Sequence, residues 1–473
     1  MSQPDPKDPP AQGYEEPDTE RPASATSTEK QLEQESLHGA AAPAHDPYAA
    51  LRFAEFRRFS IGSIISIVGS QMLSAAIGWE IYDRTRSSLA LGWVAGIQFV
   101  PLVVLALPGG QLADVFDRRR IVALASLVAA AASLGLAWLS YRTGLIPLMY
   151  ATLLLNAAAQ TLGRPAKYAL LPSIVAPSAF SNAVTWNSSF FQLSAMVGPA
   201  LAGLAIRLSP RLPYALDAIC GLIFALIMAT LPRPRFAPES PAKATESESK
   251  LQSLLAGIRF VWKTKIILAT LSLDLFAVLL GGAVYLLPAF AKDILKVDSI
   301  HFGLLRAAEA VGACTMAMLI AHLPPMKKAG RSMLLAVAGF GVATIIFGLS
   351  HNFWLSFATL FFIGAFDNIS VVVRHTLVQV LTPDAMRGRV SAVNNIFIGS
   401  SNELGGFESG VTADWWGPVV SVVFGGCGTI AVVLATAGIF PGLRKFGSLQ
   451  DARPVELSGE ISEDRPAEPA AGR

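Results

Sequence analysis

Apolar residues in this chain come in long unbroken runs, separated by short polar stretches. Twelve such runs lie near 60–82, 89–111, 121–141, 146–168, 181–206, 213–231, 266–290, 301–322, 331–350, 353–375, 389–412 and 417–440. Each has about the twenty residues that an α-helix needs to cross the hydrocarbon of a bilayer. Backbone groups there must satisfy one another, so the pattern predicts an all-α, polytopic membrane protein of twelve transmembrane helices. The widest interruption, 232–265, is Pro-rich and charged, then amphipathic from Leu251 to Trp262. It divides the runs six and six.

The two ends of the chain read differently. Residues 1–46 are rich in Pro, Glu, Ser, Thr and Ala and nearly free of large apolar side chains, which predicts a disordered tail. They lack the basic start and apolar core of a signal peptide. A short amphipathic run, Leu51 to Phe59, leads in along the membrane surface. Residues 442–473 form a second polar tail. The expected organisation is therefore a tail (1–46), a six-helix bundle (47–231), a linker (232–265), a second six-helix bundle (266–441) and a tail (442–473). Most Lys and Arg outside the spans fall on the side of the amino terminus, which by the positive-inside rule puts both termini in the cytoplasm.

The halves carry a weak internal repeat. A shift of 207 positions brings Asn187 onto Asn394, Phe190 onto Phe397, Gly198 onto Gly405 and Gly203 onto Gly410. Two parallel repeats about an axis along the membrane normal would produce such a match.

One connection is unusually polar. Gly109-Gly110-Gln111-Leu112-Ala113-Asp114-Val115-Phe116-Asp117-Arg118-Arg119-Arg120 places five charges within seven residues between the second and third spans. Anchoring in the cytoplasm would account for the arginines alone, but not for the glycines or Asp114. The stretch closely resembles the loop between the second and third helices of the major facilitator superfamily. That resemblance implies the twelve-helix fold in two bundles, and makes Gly110, Asp114, Asp117, Arg118, Arg119 and Arg120 a conformational latch that holds one state of an alternating-access cycle. The 207-position shift carries this loop onto Pro324 to Lys328, where Asp114 has no counterpart.

In the fifth run, Gly198, Pro199 and Gly203 resemble the Gly-Pro motif of proton-coupled exporters in the superfamily, with Ala202 where a second glycine often stands. Physically, Pro199 removes a helix hydrogen bond and the glycines permit close helix approach, which ordinary membrane packing also uses. Trp79, Tyr82, Asp83, Arg164-Pro165-Ala166, Leu171-Pro172, Asn182-Ala183-Val184 and the run Thr382 to Asn394 are similar to the branch that contains the enterobactin exporter family. The likeness covers about residues 48–445. It departs in the fourth helix, where Leu153 to Gly163 carries Asn156 and Gln160 but no arginine.

Composition narrows the classes. The chain is 52% hydrophobic and 15% charged, with a mean hydropathy of +0.49. A typical soluble protein is about 25% charged. Cys220, Cys314 and Cys427 lie in separate apolar segments and the six histidines are scattered, so neither a disulfide framework nor a metal site is expected. No cofactor motif, nucleophile cluster or basic nucleic-acid patch stands out, which argues against an enzyme, a receptor or a nucleic-acid partner.

Charges at membrane depth cost about 2.5–3.5 kcal/mol each on insertion scales and mark pathways, relays or buried pairs. Asp274 lies nine residues past Lys265, roughly 13 Å into the seventh helix. The resemblance puts that helix on the central cavity, so Asp274 is a substrate or proton candidate, with a structural hydrogen bond as the plain reading. Asp367 on the tenth helix shares a face with Arg374, which could snorkel to the interface and leave the aspartate to find a structural partner or to titrate. Arg306 and Glu309 are neighbours on the eighth helix and read as a structural pair, or as a seat for an anionic substrate. Glu403 on the eleventh is a further proton candidate. Glu408 and Asp217 are expected near the outer interface, and Trp79 and Tyr285 are candidate cavity walls.

The expectation is a monomeric exporter of a small organic molecule, a drug-like compound or siderophore, working by proton antiport in a bacterial inner membrane. Its partners are substrate, protons and the lipid bilayer. A lysophospholipid transporter of the same fold is the alternative.

Overall fold

In the computed structural model, residues 46–142, 145–232, 236, 250–324 and 326–447 are described. The tail readings for 1–46 and 442–473, and much of the linker, therefore lie largely outside the described residues. Twelve long helices follow one another: α1 (Ala54–Thr85), α2 (Ser88–Val115), α3 (Arg118–Tyr141), α4 (Ile146–Leu170), α5 (Phe180–Leu208), α6 (Leu212–Thr230), α7 (Lys265–Ile294), α8 (Ser299–His322), α9 (Ala329–Leu349), α10 (Phe353–Leu381), α11 (Arg387–Trp416) and α12 (Pro418–Ile439). A linker helix, Lys250–Lys263, precedes α7. Ten of the twelve are long and apolar enough to cross a membrane on composition alone. The other two, α4 and α11, carry more polar side chains, Asn156, Gln160 and Arg164 in one and Asn394, Asn402 and Glu403 in the other.

Local signals start these helices. Asp117, Asp298 and Asn352 accept hydrogen bonds from the first-turn amides of α3, α8 and α10, and Ser87 caps α2. The amphipathic lead-in divides: Leu51 and Arg52 end a 3-10 turn, Ala50–Arg52, and from Ala54 onward it is the start of α1.

The seventh span is interrupted. Its regular helix stops at Leu280, and the chain continues through a 3-10 turn, Ala283–Leu286, and a π-helical turn, Phe290–Ile294. Gly281 and Gly282 sit at the break because neighbours fill the space a side chain would need. The Phe340 ring crowds the first and Gly405 with Ser409 crowds the second. Irregular backbone at this depth needs a partner from elsewhere in the protein. Arg306 supplies one, donating to the Val284 carbonyl at 3.2 Å.

The internal repeat has a direct structural expression. Gly198 of α5 packs on Gln71 of α1, and Gly405 of α11 packs on Val278 and Leu279 of α7. Likewise Gly203 meets Ser299 and Gly303 of α8, while Gly410 meets Gly92 of α2. The 207-position shift carries Gln71 onto Val278 and Gly92 onto Ser299, so the contacts repeat as well as the residues. Between hydrocarbon-embedded helices there is little hydrophobic drive, and such close backbone approach is what van der Waals association requires.

The cores show how the halves meet. At the end of the molecule bearing Asp293, one apolar cluster takes residues from both halves: Met72, Leu91 and Ala202 from the first, with Leu286, Phe290, Phe302 and Phe347 from the second. At the opposite end, bearing Asp117, the clusters stay apart. Phe56, Phe59, Ala166 and Phe224 form one within the first half. Val261, Ile267, Met333, Leu377 and Val390 form the other, within the second half and its linker helix.

Candidate functional site

The second half holds a band of polar side chains in its interior. Arg374 of α10 pairs with Asp274 of α7, and both side chains are buried. One turn back from Ser370, Asp367 lines a cavity of about 10 Å³ together with Asp274, Val278, Phe340 and Phe366, a volume on the scale of one water molecule. Glu309 of α8 acts electrostatically on Asp367, brought near because α8 and α10 touch backbone to backbone at Glu309 and Gly364. Among the described residues no Lys, Arg or His pairs directly with Asp367. Around the same space Asn368 Oδ1, Ser370 Oγ and Arg374 Nε are buried without a protein partner.

A second group lies where the halves face each other. Tyr285, presented by the broken part of α7, packs on α11 at Gly406 and lies within electrostatic reach of the Glu403 carboxylate. Arg306 reaches across to Ser74 Oγ of α1 at 3.4 Å. Arg306 and Tyr285 line a cavity of about 30 Å³ with Ser74, Gly78 and Gln98. Glu403 also feels Arg164 of α4, a residue of the first half. Four interior acids of the second half, Asp274, Glu309, Asp367 and Glu403, thus face two arginines of that half, Arg306 and Arg374, and one from across the divide.

The Asp293 end carries ion pairs between the halves. Arg86 reaches Asp293 at 2.9 Å, Lys292 pairs with Asp83, Tyr82 hydrogen-bonds Asp293, and Arg207 meets Asp298 at 3.0 Å. Lys292 also lies 4.2 Å from the Trp79 ring centroid. Arg86 and Lys296 have φ of 50° and 54°, the non-Gly residues in the left-handed region among those described, and both sit at this closure. Such backbone persists where surrounding contacts hold it. The hydrogen bond from His301, and then the Arg207 charge nearby, hold the Asp298 carboxyl below its ordinary range.

At the other end Arg118 and Arg119 of the polar loop bind within their own half. Arg118 donates to the Ala169 carbonyl at the end of α4, and Arg119 to the Leu231 carbonyl after α6. Arg119 also pairs with Asp117 at 2.7 Å, and its hydrogen bond holds that carboxyl below the usual range. Gly110 has open space beside it, and Asp114 and Arg120 are exposed.

Several placements differ from the sequence expectation. Arg374 does not snorkel to the interface but is 3% exposed and neutralises Asp274, because α7 and α10 meet at depth. Arg306 and Glu309 interact electrostatically rather than as a contact pair, since the guanidinium is drawn to the Val284 carbonyl of the 3-10 turn in the α7 break. Asp217, near the start of α6, is buried between helices rather than open to solvent. It is 7% exposed and accepts from Ser133 Oγ at 2.5 Å. Trp79 belongs to the closure at the Asp293 end, packed on Phe302 with ring centroids 4.9 Å apart. Arg164 lies within α4, one position beyond the arginine-free stretch Leu153 to Gly163, and the helix continues past Pro165 to Leu170. Among the described residues no group of three or more His, Cys, Asp or Glu could hold a metal ion.

A family model described as a transmembrane secretion effector matches residues 45–456. The chain belongs to this family of the major facilitator superfamily. The transporter is 26% identical to the enterobactin exporter EntS of Escherichia coli O1:K1 / APEC over 401 residues, 83% of this chain and 93% of that one. The same figures hold for the enterobactin exporter EntS of Shigella boydii serotype 18. Its fold is similar to a bacterial homolog of the lysosomal transporter Spinster in an inward-facing, occupied conformation, with TM-score 0.66, 12% identity and coverage of 84% and 99%. It is also similar to the xylose transporter XylE from E. coli in an inward-open conformation, with TM-score 0.60, 13% identity and coverage of 84% and 97%. Proteins of this superfamily are transporters rather than enzymes, and this one is a multi-pass membrane transporter.

Proposed function

We propose that this transporter exports a small organic molecule, drug-like or siderophore, across the bacterial inner membrane by proton antiport and alternating access, acting as a monomer. One observation carries the reading: a single core joins the halves at the Asp293 end, while separate cores serve each half at the Asp117 end. The clustered basic residues put the Asp117 end and both termini in the cytoplasm. The conformation is then closed outside, and the halves 47–231 and 266–441 rock about their shared interior. Residues 232–265 tether them. The named relatives are enterobactin exporters, which supports an outward direction and a siderophore-like cargo.

Asp367 is the proton carrier in this reading, because it borders the interior and has no cation of its own, whereas Asp274 is committed to Arg374. Glu309 and Glu403 take part through their charge, and Tyr285 and Arg306 hold the substrate side. Protonation of Asp367 and substrate binding exclude each other. When the outer end opens, Asp114, Arg118 and Arg119 latch the cytoplasmic end, and Pro199 and Gly203, backed by Gly198 on α1, form the surface on which the halves turn.

The test is transport in liposomes under an imposed pH gradient, with a panel that includes a catecholate siderophore. The expected result is gradient-driven movement of one panel class by the wild type and about 5- to 150-fold less by D367N, the range of a typical coupling free energy. Equal gradient dependence in both would overturn the assignment of Asp367.

A further inference from the structure

We propose that Asp217 is a proton-binding site inside the first half, separate from the carboxyls of the second half. Asp217 lies on α6 where α1, α3 and α4 converge on it. Ser133 Oγ of α3 is 2.5 Å from Asp217 Oδ2, and Asn156 Nδ2 of α4 donates to Ser133 Oγ at 3.2 Å and to the Ala129 carbonyl at 3.1 Å. The other carboxyl oxygen lies against α1 at Gly69, where a methyl would come within 2.9 Å of it.

The surroundings are neutral on every side. From α3 comes Ser133, from α4 Asn156 and from α1 the Gly69 backbone, while α6 itself adds only the Cys220 thiol. Helix α5 brings no charge, its Arg207 being engaged with Asp298. Among the described residues no Lys, Arg or His pairs with Asp217, in contrast to Asp274. A buried carboxylate with one hydroxyl donor and no counter-charge is poorly compensated in a low-dielectric interior. Binding a proton removes that charge.

The hydrogen-bond geometry accommodates both forms. With the carboxylate ionised, the Ser133 hydroxyl points to Asp217 Oδ2. With the carboxyl protonated, its O–H donates to Ser133 Oγ and the serine hydroxyl turns to the Ala129 carbonyl, 3.0 Å away. Ser133 then uses one donor and two acceptor positions, the full capacity of a hydroxyl. The proton comes from water and returns to it, and no heavy atom needs to move.

The test is infrared spectroscopy of the purified full-length protein in detergent, with wild type, D217N, S133A and D367N compared at neutral pH. The expected result is a carboxylic-acid carbonyl band in the wild type that is lost in D217N, kept in D367N and moved to higher frequency in S133A. If D217N does not fold, the S133A shift alone decides. An unchanged band in every foldable variant, or its loss only in D367N, would overturn the proposal. The readout needs no transport, so its outcome is independent of the proposed antiport.

Discussion

Arg374 and Asp274 form an ion pair across α7 and α10 in which neither side chain is more than 7% exposed. Removing one member of such a pair leaves a charge in the interior without its counter-ion. R374M should therefore destabilise the protein by about 3–5 kcal/mol, while the double variant D274L/R374M recovers most of the loss. Thermal unfolding in detergent separates the cases. A single variant as stable as the wild type would mean that the pair contributes little.

The closure at the Asp293 end rests on exposed ion pairs. Neutralising Asp83, Asp293 and Asp298 together should shift the balance toward opening at that end by about 1–2 kcal/mol, roughly a 5- to 30-fold change in population. Distances between spin labels on the Asp293-end tips of α2 and α11 report it. Salt should produce a smaller shift of the same sign in the wild type.

Backbone contact at Gly203 and Gly410 leaves no room for a side chain. G203A and G410A should each weaken the packing between halves by about 1–3 kcal/mol, the usual range for overpacking. Because the two sites are related by the repeat, their effects on the label distances should match in direction. Opposite directions would show that the repeat does not extend to motion.

Asp117 gives a pH signature outside the membrane. Its carboxyl is held below the ordinary range by Arg119, so its contribution to stability is fully present above that range and fades as pH falls toward the depressed value. The pair is substantially exposed, and D117N should cost under about 1 kcal/mol. Melting curves of D117N and wild type should differ by a constant amount near neutrality and converge in acid. A difference that grew on acidification would contradict the assignment.

Twelve spans were legible in the sequence because hydrocarbon imposes a length and a composition on each, and the structure moves their ends by at most six residues. The seventh span shows the limit. Gly281 and Gly282 stand openly in the sequence, but an apolar run reads the same whether its helix is whole or broken, and the break follows from packing against Phe340 and Gly405. The interior charges were legible as a set and not as partners. Asp274 and Arg374 are a hundred positions apart, and only the approach of two helices brings them together. Asp217 was legible by its place near the start of its helix but not by its burial, which comes from α1 and α3. Tyr285 was legible as an aromatic wall, but its nearness to Glu403 depends on the turn that presents it.

Where Gly203 meets Gly303 and Gly92 meets Gly410, main chain rests on main chain with no pliable side chain between. Such joints resist compression and offer nothing to interdigitate, so they behave as a pair of rigid pivots, one on each flank of the molecule. In the proposed rocking of the two halves, a line through both would serve as the axis. Sliding or splaying would first have to pull the pivots apart.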